Sequence, residues 1–226
     1  MASKLILAAI LSAAFATQAL AQDREQRASG GSFTSVEVNK GANVTLVQGD
    51  RDGLEIVTDG CPTTDVETFV KNAQLTVRMK KRTPGSAVQV KVYFKDIDKV
   101  TVRRGASAET DGTLKHAGTF KLDVGAKCDA KMDVDVDNLE VDASTCSIEI
   151  EGRAKSQKVF VAGTLGRATY NAEDLESQDV KIKAVNAEAT VKFSGKLEAE
   201  AVSCTINYIG NDANVTKSGS GEVVAK

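Results

Sequence analysis

The residues able to do chemistry are few and scattered. The single histidine, His116, stands in the polar stretch LKHAGT, with no cysteine or carboxylate at a metal-ligand or triad spacing. Arg103 and Arg104 follow an apolar alternation, and Asp174 and Glu176 sit together in a polar turn. Carboxylate pairs can hydrolyse glycosidic bonds when suitably separated, so a polysaccharide lyase or hydrolase is the enzymatic alternative. Against it, the chain has no Trp to stack on a sugar ring, and no Gly-x-Ser-x-Gly elbow or phosphate loop is present. The residues therefore point to a non-enzymatic protein with no cofactor.

The stretch DVDVDN, Asp133 to Asn138, superficially resembles a calcium loop. An EF-hand needs Gly at its sixth position and a bidentate Glu at its twelfth, where this chain has Asn138 and Ser144. The intervening valines fit a strand whose Asp133, Asp135 and Asp137 face solvent, and these three carboxylates are the candidate binding face. Four cysteines, Cys61, Cys128, Cys146 and Cys204, have no CxxC or Cys/His spacing for zinc.

The elements that must carry these residues follow from a repeated pattern. Leu139, Val141 and Ala143 are apolar at odd positions, and Cys146, Ile148 and Ile150 at even ones. Side chains on a strand alternate faces with period two, so the change of parity marks a short corner between two strands that both face inward. LEAEAVSCTINY, Leu197 to Tyr208, repeats LEVDASTCSIEI, Leu139 to Ile150, with a cysteine at the same offset. Reading starts at Phe120, Leu139, Val159, Val180 and Leu197 gives spacings of 19, 20, 21 and 17 residues.

Strand-corner-strand units near this period predict an all-β, single-domain parallel β-helix or β-solenoid with coils of about 20 residues. An antiparallel β-sandwich is the alternative, although the Asp-Gly turn pairs all precede the regular region. Positions just after the corner read Cys128, Cys146, Gly166, Ala187 and Cys204, all small. Cys128 and Cys146 thus become neighbours on adjacent coils, either as a disulfide or as stacked buried thiols.

MASKLILAAILSAAFATQALAQ at the N-terminus has Lys4, an apolar run and an Ala-Leu-Ala site, and reads as a signal peptide over residues 1–21. Residues 22–31 are expected to be a flexible lead-in and 32–226 the solenoid domain. Without the leader, Lys+Arg falls from 29 to 28 against 31 Asp+Glu. No clustered basic face calls for nucleic acid, and no second apolar run is long enough for an integral membrane segment.

Two segments carry a family resemblance. FTSVEVNKGANVTLVQGD, from Phe33, resembles the opening of the head GIN domain, and INYIGNDANVTKSGSGEV, from Ile206, resembles its ending. The resemblance implies an exported bacterial parallel β-solenoid, placed in the periplasm, at the cell surface or outside, with no demonstrated reaction. The expected role is an adhesin-like or matrix module binding a cell-surface glycan or an envelope protein. A periplasmic scaffold working by self-association through its coil ends is the alternative.

Overall fold

The computed structural model describes residues 22–81, 83–164 and 166–226. The expected signal peptide, residues 1–21, lies outside the described residues. The chain begins with β1 (Asp23–Arg27), β2 (Ser35–Asn39), β3 (Asn43–Gln48), β4 (Gly53–Asp59), β5 (Val66–Lys71), β6 (Gln74–Met79), β7 (Ala87–Phe94), β8 (Lys99–Val102) and β9 (Ser107–Thr110). It continues through β10 (Leu114–Val124), β11 (Asp129–Ser144), β12 (Ser147–Ala162), β13 (Ala168–Ala172), β14 (Leu175–Val185) and β15 (Ala187–Lys192). It closes with β16 (Lys196–Val202), β17 (Thr205–Ile209), β18 (Val215–Ser218) and β19 (Glu222–Ala225). These strands wind into a β-solenoid of about 7 turns, with coils about 19 residues apart. The solenoid expectation holds and the sandwich alternative does not.

Each coil runs along a first face, turns a tight corner and returns along a second. The first face stacks β6, β2, β8, β10, β11, β12, β14, β16 and β18 in parallel. The second stacks β7, β3, β9, β11, β12, β13, β15, β17 and β19. The middle coils have a third face, because the 16-residue strands β11 and β12 bend and contribute to all three. In β11 the buried parity changes from Val136 to Leu139, which places the bend at Asp137 and Asn138. Inward-facing Leu, Val and Ile fill the tube, each fully buried side chain contributing about 1.5–3 kcal/mol.

The tight corner explains the small residues. Lys127, Thr145, Asn186 and Ser203 take φ of 59°, 50°, 48° and 52° immediately before Cys128, Cys146, Ala187 and Cys204. Left-handed backbone folds the chain back within one or two residues, leaving little room for the next inward side chain. The stack is held by bonds such as Lys127 N–H to Thr145 O at 3.0 Å and Thr145 N–H to Ala162 O at 2.9 Å.

One coil departs from the register read in the sequence. Val180 pairs with Gln157, not Val159, so the inward slots are Gln157, Val159 and Val161. Across the corner, the small slot belongs to Ala168 rather than Gly166, since Thr169 pairs with Ser147 and Ala168 with Ala187. Gln157 is only 2% exposed. Its amide donates to Ser177 Oγ, and its carbonyl oxygen accepts from the Tyr170 hydroxyl at 2.8 Å. A polar residue in an apolar slot hid the true start of the repeat.

The two ends differ. Residues 22–31, expected as a flexible lead-in, instead contribute β1, which lies antiparallel to β4, itself antiparallel to β7. The segment from Thr63 forms a 3-10 turn and then the antiparallel hairpin β5–β6, turned by Asn72 and Ala73 at φ 51° and 56°. Arg27 Nη1 ties β1 to β5 through Val66 O at 3.0 Å and Thr68 Oγ1 at 3.1 Å. The C-terminal end is a last parallel rung, β18 and β19.

Lys217 lies in an inward slot of that rung, in register with buried Ala199. Its ammonium donates to Val223 O at 2.8 Å and sits 5.0 Å from the Tyr208 ring centroid. An inward charge on an edge strand opposes stacking by another chain. Lys217→Leu should therefore turn the protein toward dimers and larger species in light scattering, whereas outward-facing Thr216→Leu should not.

Candidate functional site

The third face carries an outward trough. Four strand segments build it, Leu114–His116, Val134–Val136, Gly152–Ala154 and Leu175–Ser177, paired in that order. In the flanking coils the chain passes between the other two faces without adding a strand here. Gln48 and Lys95 stand at one end of the face and Lys192 to Ser194 at the other, with an open trough of about 940 Å³ between them.

Side-chain and main-chain bonds occupy part of both edges of this small sheet. Gln48 acts as a one-residue substitute strand: Lys115 N–H donates to its Oε1 at 2.7 Å, while its Nε2 donates to Lys115 O at 2.9 Å. At the far edge, Ser194 N–H donates to Ser177 O at 2.9 Å and Gly195 N–H to Gln178 O at 2.8 Å. With these groups paired, the outward side chains are the main recognition surface of the face.

Those side chains alternate in sign along the stack: Lys115, Asp135, Arg153, Glu176. Arg153 pairs with Asp135 at 2.9 Å, and at the bend Lys155 pairs with Asp137 at 2.5 Å. The hydrogen bond from Lys155 holds the Asp137 carboxyl below its ordinary range. At the N-terminal end of the trough, His116 Nδ1 lies 2.8 Å from Asp96 Oδ1. Val136, Ala154 and Ser177, which alternate with these charged residues, turn their side chains into the core, so main chain is what lies between the charges at the surface.

Of the expected acidic face, Asp135 and Asp137 line this trough. Asp133 lies just outside, accepting from Thr113 Oγ1 at 2.7 Å. The surface is not simply acidic, because the following coil sets a cation beside Asp135 and beside Asp137. His116 has the carboxylate partner that local spacing did not reveal, and Glu176 belongs to the trough while Asp174 remains in the preceding turn. Arg103 pairs with Asp123 away from it, and Arg104 occupies a corner at φ 56°. Arg153 and Lys155 were missed for one reason: each sits 18 residues after its aspartate, one coil along. Comparing charges at coil distance would have found them.

Cys128 and Cys146 stand at the same corner of neighbouring coils, with Ser147 N–H donating to Cys128 O at 3.2 Å. In the structure both are free thiols, buried in the core. Burial pushes the Cys146 thiol up from 9.0 to about 11. The folded chain thus holds this proton more tightly than the unfolded chain. Its stabilising contribution is complete below pH 9.0 and is lost as pH rises toward about 11. Alkylation at about pH 8 should accordingly reach half-exposed Cys61 and Cys204 first, with Cys146 modified only after denaturant is added, as mass spectrometry of the labelled peptides will read.

A second outward surface, on the first face, centres on Phe160, which is 41% exposed. Lys158, Lys181 and Lys183 surround it, with Lys181 bonded to Glu198 at 3.1 Å and Lys183 to Glu200 at 2.7 Å. It forms a hollow of about 670 Å³. No helix among the described residues is long and apolar enough to cross a membrane.

Comparison with solved structures confirms the architecture. A protein from Bacteroides fragilis described as a "putative adhesin" superposes with TM-score 0.76 at 13% identity, covering 92% of this chain and 99% of that one. A "putative adhesin" from Parabacteroides distasonis gives 0.67 at 20% identity, covering 91% and 97%. A "putative lipid binding protein" from the same species gives 0.64 at 18% identity, covering 91% and 96%. These likenesses carry the fold alone. No curated protein matches the sequence. Residues 32–212, most of the solenoid, match the family described as "Putative auto-transporter adhesin, head GIN domain", and the chain belongs to that family.

Proposed function

We propose that this protein is an exported, non-enzymatic, adhesin-like module that holds a cell-surface glycan or an envelope protein against its third face. The observation that carries the reading is the trough on the third face, whose charged side chains Lys115, Asp135, Arg153 and Glu176 lie on paired strands rather than on loops. Its side chains are placed at a regular interval of about 4.8 Å between rungs, so the surface suits an extended ligand more than a single small molecule. Family membership supports the adhesin class, and the apolar run at residues 5–16 supports export.

Nothing in the trough is arranged as a nucleophile with its base. The His116–Asp96 pair has no serine, threonine or cysteine among the residues lining the trough near it that could complete a triad, and the trough's nearest serines, Ser177 and Ser194, lie at its other end. The scaffold alternative is disfavoured by Lys217, which obstructs the coil end through which copies would stack.

Protease treatment of intact cells carrying the tagged protein tests the location, with a known periplasmic protein as internal control. Digestion while the control stays protected is the expected result. Protection until the outer barrier is opened would overturn the adhesin reading and direct attention to periplasmic partners.

A further inference from the structure

From the chemistry of the trough we infer that its ligand is a neutral, hydroxyl-rich glycan chain lying across the rungs. The assignment rests on the binding-module reading above and adds the ligand class. Three observations narrow the choice.

The first concerns peptides. Extended peptides commonly bind by adding a strand to an open sheet edge, where main-chain bonds supply the affinity. Here Gln48 occupies one edge and Ser194 with Gly195 the other. With those edge groups taken, strand addition is disfavoured and recognition falls to the side chains on the face.

The second concerns charge. Successive rungs present Lys115, Asp135, Arg153 and Glu176. A polyanion crossing them meets a carboxylate at every second rung, and a polycation meets an ammonium or guanidinium. Like-charge contacts of that kind oppose binding and select against the wrong partner. A neutral hydroxyl both donates and accepts, so a sugar chain can donate to Asp135 and Glu176 and accept from Lys115 and Arg153.

The third concerns cost. The Arg153 and Asp135 side chains are 67% and 37% exposed, and ion pairs this open contribute little to stability. Their groups are positioned by the sheet yet free to exchange one another for ligand hydroxyls. Between them the inward turn of Val136 and Ala154 leaves uncharged main chain at the surface, low enough for a sugar ring to approach.

Titration calorimetry of the chain from Gln22 to Lys226 tests the assignment, using neutral gluco-, manno- and galacto-oligosaccharides beside uronate and sulfated oligosaccharides, each at low and high salt. At least one neutral chain should bind, with affinity nearly unchanged by salt. Arg153→Ala and Glu176→Ala should each weaken it about tenfold while the thermal melt is preserved. Lys158→Ala, on the first face, should leave it unchanged. Preference for a uronate or sulfated chain with salt-weakened binding would overturn the assignment, as would neutral-chain binding indifferent to both trough variants. A silent panel would overturn it too. If the protein is still exposed on intact cells in that case, the surface-module reading survives without the glycan; protection there would remove both.

Discussion

Gly152→Ala should lower the unfolding free energy by about 4 kcal/mol, near the upper end for a single substitution. Gly152 occupies an inward slot of the third face, in register with Val134 on one side and Leu175 on the other. Its φ is +103°, and a Cβ there would stand 2.1 Å from the Val134 carbonyl oxygen and 2.8 Å from Asp133 Oδ1. Backbone on the neighbouring rung cannot swing away as a flexible side chain would, because its own ladder bonds hold it. Gly112 is the internal comparison: its φ is +84°, but nothing lies within 4 Å of the position a Cβ would take. Gly112→Ala should cost only the left-handed penalty of about 1–2 kcal/mol. Urea denaturation of the two variants separates steric collision from backbone strain; equal losses would show that the rungs can spread to admit a methyl group.

Gln157→Ala should cost about 3 kcal/mol, for a different reason. The tyrosine hydroxyl of Tyr170 and the hydroxyl of Ser177 both end on Gln157, and all three residues are buried. Removing the amide strands two hydroxyls in an apolar tube and leaves a cavity where the carboxamide lay. Burial also pushes the Tyr170 phenol well above its usual range, which fits a hydroxyl retained as a neutral donor. The triple change Gln157→Leu, Tyr170→Phe, Ser177→Ala removes the polar atoms together and should recover most of the loss. Denaturation of the single and triple variants measures the coupling; strictly additive losses would deny the network.

The same residues show how far the sequence can be read. The parity change at each corner was legible because apolar side chains occupy Leu139, Val141 and Ala143 and then Cys146, Ile148 and Ile150, all buried. It failed by two residues at Gln157, since an amide satisfied by partners 13 and 20 residues away cannot be recognised as core from local pattern. Gly152 was equally silent: a strand glycine looks the same whether its missing Cβ would meet solvent or the next rung. The trough was half legible, because Asp135 and Asp137 stand out as an alternating run, while Arg153 and Lys155 become their neighbours only once the coil length is known. The first rungs were not legible at all, since their order in space is not their order in the chain.

That reordering sets a direction for unravelling. The rung made by β2 and β3 is inserted between rungs β6–β7 and β8–β9, which come later in the chain, like a page slipped back into a bound book. It cannot leave without first displacing a neighbour, and beyond β6–β7 the outer strands β1 and β5 are clasped together by Arg27. At the opposite end, β18 and β19 rest on one neighbour each and can peel away singly. Under tension the molecule would therefore shed coils from the Lys226 side while the interleaved end stays closed, and a ligand in the trough would be released only after the terminal coils had been spent.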